Sequence, residues 1–92
     1  MNAIHPGRIL KRELLSRELS ANQLALALSV PSGRIVDILN GKRAISADTA
    51  LRLGRYFNND PQFWMNLQSQ YDLAIASNEH GETIKNEVRL SA

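Results

Sequence analysis

Any chemistry in this chain has to be done without the usual catalytic groups. The 92 residues contain no cysteine, and the two histidines, His5 and His80, stand at opposite ends. Thiol nucleophiles, disulfides and cysteine zinc sites are therefore excluded, and no metal-ligand cluster is expected. Nothing is spaced as a serine–histidine–carboxylate set, a phosphate loop or a catalytic carboxylate pair. The chain reads as a non-enzyme with no catalytic residue, metal or cofactor. What it does concentrate, between positions 22 and 43, is hydrogen-bonding and cationic side chains: Asn22, Gln23, Ser32, Arg34, Asp37, Asn40, Lys42 and Arg43, with Gly33 among them. Arginine can donate two parallel bonds to guanine O6 and N7, and lysine and arginine neutralise phosphates. Such a set suits a nucleic acid.

The charge distribution agrees. Residues 1–57 hold nine Lys/Arg against four Asp/Glu, a net +5, whereas residues 58–92 hold two against five, a net −3. A basic first part and an acidic last part suit a polyanion and a basic partner respectively, the alternative being scattered surface charge. Apolar residues make up 43% and charged residues 22%, the balance of a soluble globular domain, and 92 residues supply one core. The longest apolar run, Leu24 to Leu28, is far short of the roughly 20 residues of a membrane span. The opening Met-Asn-Ala-Ile-His-Pro-Gly lacks the basic and apolar regions of a signal peptide. A reducing, cytoplasmic setting is expected.

The elements that position these side chains are short helices. Pro6 suits a first helical turn, with Ile9, Leu10 and Leu14 as the apolar stripe behind it, and His5 is expected to cap it. Ser20-Ala21-Asn22-Gln23 forms a capping box ahead of Leu24, Ala25 and Leu28. Val30-Pro31 ends that helix, because the residue before proline avoids helical geometry. A third helix follows with Ile35, Ile38 and Leu39 inward, closed by Asn40-Gly41. Ser46 caps a fourth, with Ala50, Leu53, Gly54 and Phe57 inward, and Asp60-Pro61 starts a fifth carrying Trp64, Leu67, Tyr71, Ala74 and Ile75. Asn78-Glu79-His80-Gly81-Glu82 reads as a turn or linker. Residues 83–90 suit a frayed helix, an added strand or a disordered tail. The expected division is a DNA-binding domain over 1–77 and a polar linker and tail over 78–92.

Two short helices joined by about four residues, then a turn, are the spacing of a helix-turn-helix, whose second helix enters a major groove about 12 Å wide. Packing of Leu24, Ala25 and Leu28 against Ile35 and Ile38 would leave the stretch from Pro31 to Asp37 projecting. Arg34 would read guanine or touch a phosphate. Ser32 could bond a base edge or a phosphate, and Gly33 would allow close approach. Asp37 could accept from cytosine N4 or pair with Arg34 three residues back, the pair being favoured. Asn40, Lys42 and Arg43 would meet backbone phosphates. Trp64, Leu67 and Tyr71 are core residues or a symmetric dimer contact.

The run Ser20-Ala21-Asn22-Gln23-Leu24-Ala25-x-x-Leu28-Ser29-Val30-Pro31-Ser32-x-Arg34-Ile35-x-x-Ile38-x-Asn40-Gly41-Lys42-Arg43 resembles the Xre/Cro-type helix-turn-helix. Joined to His5-Pro6-Gly7-x-Ile9-Leu10, Ile45 to Leu53 and Pro61-Gln62-Phe63-Trp64-Met65-Asn66-Leu67-Gln68, it is similar to the HigA (VapI-like) antitoxins over roughly residues 5 to 75. The resemblance implies an all-α, five-helix, lambda-repressor-like domain with a short C-terminal tail. It implies a homodimer that binds double-stranded operator DNA, represses its own operon and neutralises a HigB-type mRNA endonuclease toxin. A stand-alone Xre/Cro-like repressor without a toxin is the alternative. Ser29 stands where the family usually has glycine, and Ala21 where many members have a glutamine that contacts DNA. Asn22 or Gln23 would serve in its place.

Overall fold

The computed structural model describes residues 2–91, so Met1 and Ala92, the outermost residues of the expected domain and tail, lie outside the described residues. Among the described residues the chain is all-α: α1 (Pro6–Ser16), α2 (Ala21–Leu28), α3 (Ser32–Leu39), α4 (Ala47–Phe57) and α5 (Pro61–Glu87). Each start has an identifiable cause. His5 Nδ1 accepts from the Gly7 amide at 2.9 Å, and Pro6 sits where a missing N–H leaves nothing unpaired. Ser20 and Gln23 close the capping box with bonds of 3.1 and 2.8 Å. Ser46 and Asp60 accept from Thr49 and Gln62 amides. The ends are as definite. Ser29 and Asn58 terminate α2 and α4 in the left-handed region (φ 57° each), and Gly41 follows α3 at φ 73°.

The apolar faces meet in one core. Leu10, Leu14, Leu24, Ala25, Leu28, Ile35, Ile38, Ile45, Ala50, Leu53, Phe57 and Trp64 are all buried. Gly7 carries the tightest contact: a Cβ built there would lie 1.9 Å from the Ile38 carbonyl oxygen. Only glycine lets α1 reach the end of α3. Trp64 is 1% exposed, edge-on to Phe63 and tilted against Phe57, and its indole N–H donates to Asn59 at 3.1 Å.

The turn expected at Asn78–Glu82 is not there, because α5 runs unbroken to Glu87. Its last buried residue is Ala74. The final three turns extend beyond the core, and the molecule measures 51 × 23 × 22 Å. A lone glycine costs a helix only about 1 kcal/mol, and elongating a helix already held by four buried turns is far easier than nucleating one. Gly81 is therefore accommodated. Lys85 lies in the last turn, where a cation suits the helix dipole.

Candidate nucleic-acid interface

Burial of Ile35 and Ile38 turns the opposite side of α3 outward. Ser32, Gly33, Val36 and Asn40 are exposed on that face, with Asp37 half-buried beside them, and nothing lies within 4 Å of a Cβ built on Gly33. The stretch from Pro31 to Asp37 thus projects with Pro31, Ser32 and Gly33 open to solvent. Ser32 shares a shallow depression with Asn22, Ala25, Leu26 and Val30, which brings the start of α2 beside the start of α3. Gln23 is exposed, but its side-chain oxygen is engaged with the Ser20 amide. Lys42 and Arg43 lie in the loop after α3, also exposed, and the Lys42 amide donates to the Asp37 carbonyl. Seven of the nine candidates therefore lie open along α2, α3 and that loop, and Arg34 and Asp37 are half-buried.

The expected pair between Arg34 and Asp37 does not form. Arg34 reaches instead to Asp48 on the first turn of α4 (2.9 Å), and Asp37 faces Arg43 (3.7 Å). The reason lies in direction. Arg34 sits on the flank of α3 that looks toward α4, one position before the buried Ile35, whereas Asp37 sits on the outer flank. Asp48 also accepts from Arg52 at 2.8 Å, and Arg52 donates on to the Leu28 carbonyl at 2.8 Å. The hydrogen bonds from Arg52 and then Arg34 hold the Asp48 carboxyl below the usual carboxylate range. This chain of contacts joins the end of α2, the start of α3 and the start of α4 behind the exposed face.

Sequence reasoning missed Val36. It is 40% exposed on the outer face, four residues from both Ser32 and Asn40, a place from which an apolar group could meet a thymine methyl. The signal was the spacing: inward residues at 35, 38 and 39 leave 36 outside. It also missed the joining role of Asp48 and Arg52, which lie far from α3 in sequence. On α5, Trp64 is enclosed in the core of its own chain and is not accessible to a second copy. Leu67 packs partly on the core, and Tyr71 lies edge-on to His5 at 4.9 Å.

A helix-turn-helix family model matches residues 10–64. Virulence-associated protein I of Dichelobacter nodosus is 52% identical over 80 residues, 86% of this chain and 74% of its own length. An addiction module antidote protein of the HigA family from Coxiella burnetii superposes with a TM-score of 0.96 at 49% identity, covering 99% of this chain and all of the other. Pseudomonas aeruginosa antitoxin HigA, solved with the higBA promoter, superposes with a TM-score of 0.95 at 47% identity and equal coverage. The projecting polar face of α3, the capped start of α2 beside it and these likenesses lead to one conclusion: the chain belongs to the helix-turn-helix family, among the HigA antitoxins.

Proposed function

We propose that the protein is a cytoplasmic antitoxin that binds the operator of its own promoter as a dimer, represses that operon and neutralises a HigB-type mRNA endonuclease. It acts by binding and not as an enzyme. The observation that carries this reading is the outward face of α3, free of the core and flanked by the start of α2 and by the Lys42–Arg43 loop. In this reading Ser32, Gly33 and Val36 approach base edges. Asn22 and Gln23 lie against the strand beside α2, and Asn40, Lys42 and Arg43 take phosphates. Arg34, oriented by Asp48, presents its remaining N–H groups to guanine or to a neighbouring phosphate, while Asp37 keeps Arg43 close to the groove. Residues 1–77 are the DNA-binding unit and 78–92 an appendage to it, with the acidic last part available to a basic toxin.

Dimerisation uses the outer side of α5. With Trp64 enclosed, Phe63, Leu73, Ile84 and Val88, all at least 44% exposed, supply the apolar surface, next to Leu67 and Tyr71. No helix among the described residues is long and apolar enough to cross a membrane.

Footprinting of the upstream region is the test. The expected result is a protected inverted repeat whose half-site centres lie about 34 Å, one helical turn, or a multiple of it apart. Absence of a protected palindrome refutes operator binding. Expression of the neighbouring gene with and without this chain tests neutralisation: a neighbour harmless on its own leaves a stand-alone repressor.

A further inference from the structure

Gln68 is a buried amide on α5, 6% exposed, in a helix whose other buried residues belong to the apolar core. Its Oε1 accepts from the Ile45 amide at 2.8 Å, and its Nε2 donates to the Asp72 carboxylate, one turn on, at 2.9 Å. The second bond fixes the amide's orientation, because a carboxylate can only accept, so the oxygen must face Ile45. Ile45 is buried, while residues 41–44 before it are exposed. Inside the connection from α3 to α4, backbone bonds tie only its first residues to α3: Asn40 to Val36, Gly41 to Ile38 and Lys42 to Asp37. Its far end is held by Gln68. His5, against the Tyr71 ring, also interacts with the Arg43 backbone and lies near Gly41.

We infer that Gln68, kept in orientation by Asp72, is a positioning residue through which α5 fixes the Lys42–Arg43 loop against DNA phosphates. The inference rests on the proposed DNA-binding reading for what the loop does, but the clamp itself is a property of the free protein. A buried N–H without an acceptor is expensive, so removing Oε1 forces the loop to move outward until water reaches the Ile45 amide. Phosphate contacts carry affinity and salt dependence but no sequence choice. Loss of the clamp therefore weakens operator and unrelated duplex alike.

The experiment uses the full chain with Gln68→Met, Gln68→Glu, and the pair Gln68→Glu with Asp72→Asn. Amide hydrogen exchange is followed in the free protein, and binding to operator and to random duplex is measured from low to high salt. Gln68→Met should raise exchange at Ile45 and at Lys42, whose amide donates to the Asp37 carbonyl, and weaken both duplexes about tenfold, the worth of one charge-assisted hydrogen bond. The plot of log affinity against log salt should flatten by about one unit. Gln68→Glu keeps the acceptor but sets two carboxylates one turn apart, so it should also weaken binding. The double variant exchanges donor and acceptor at unchanged net charge and should return within twofold of wild type in affinity and slope. A Gln68→Met protein with a lower melting temperature but wild-type exchange at Lys42 and a wild-type slope overturns the inference. So does a double variant no better than Gln68→Glu. If the wild-type chain binds no operator, the functional reading fails, and exchange at Ile45 and Lys42 still decides whether the clamp exists.

Discussion

Replacing Gly7 by alanine tests how closely α1 seats against the end of the DNA-facing helix. The new methyl carbon would lie 1.9 Å from the Ile38 carbonyl oxygen and 2.8 Å from its carbon, both backbone atoms that cannot rotate away. Relief requires α1 to move by roughly 1 Å from α3, in a core where Leu10, Ile35 and Ile38 are fully buried. Overpacking of this kind costs about 1–3 kcal/mol, offset by up to about 1 kcal/mol of helix propensity gained on losing a glycine. The net loss, up to about 2 kcal/mol after the full offset, lowers the melting temperature by up to about 16 °C in a domain of this size. Gly33→Ala is the matched control on α3. No atom lies within 4 Å of its Cβ, so propensity acts alone and the melting temperature should rise by up to about 8 °C. Its methyl lies on the exposed face, so operator binding should weaken in the more stable protein. Thermal melts by circular dichroism, with binding by anisotropy, read both variants. A Gly7→Ala protein stabilised as much as Gly33→Ala would refute the close approach of α1 to α3.

The other expectations concern strain, protonation and the DNA contacts. Ser29→Gly relieves a left-handed residue that costs about 1–2 kcal/mol, against about 0.5–1 kcal/mol for glycine's extra freedom when unfolded, so melting should rise by about 2–8 °C; no rise would remove the strain argument. Burial lowers the pKa of His5 below 6.5, against the opposing pull of the Arg43 backbone and Asp72. The neutral ring's contribution to stability is therefore complete above pH 6.5 and is lost as pH falls through the lowered folded value. His5→Asn keeps a cap acceptor without titrating, so its melting temperature should fall less than wild type between about pH 7.5 and about pH 5.5, on either side of the free histidine pKa; parallel curves would clear His5 of this role. Arg34→Ala should cost about 1–3 kcal/mol on the operator and little on random duplex, and equal losses would make Arg34 a phosphate contact. Lys42→Ala and Arg43→Ala should weaken every sequence and flatten the salt slope by about one unit each, and an unchanged slope removes them from the interface.

Caps and apolar spacing make most of the fold legible in the sequence. Ser20–Gln23, Ser46, Asp60–Pro61 and Gly41 each act through their own neighbours, so the local chain states their role. Ser29 in the left-handed region was legible through the resemblance, since it stands where the family usually has glycine. The partners of Arg34 and Asp37 were not legible. Both lie on one short helix, and local spacing suggested they would meet, but a neighbouring element offered each a better one: Asp48, fourteen residues from Arg34, and Arg43 beyond the end of α3. Gln68 was visible only as part of a recurring motif, because its acceptor role toward Ile45 spans 23 residues. Gly81 misled for the opposite reason. A glycine in a polar stretch resembles a break when judged locally, yet the helix before it was already anchored by Trp64, Gln68 and Ala74.

The overhang of α5 alters how the molecule behaves when it is sized. A compact chain of 92 residues has a radius of gyration of about 12 Å, whereas this one has 15.8 Å. Gel filtration calibrated on globular standards would overstate the mass of a single copy, so an elution volume cannot count subunits. Light scattering or sedimentation equilibrium can, and X-ray scattering would follow the overhang directly: a partner wrapped around it would add mass with little gain in radius.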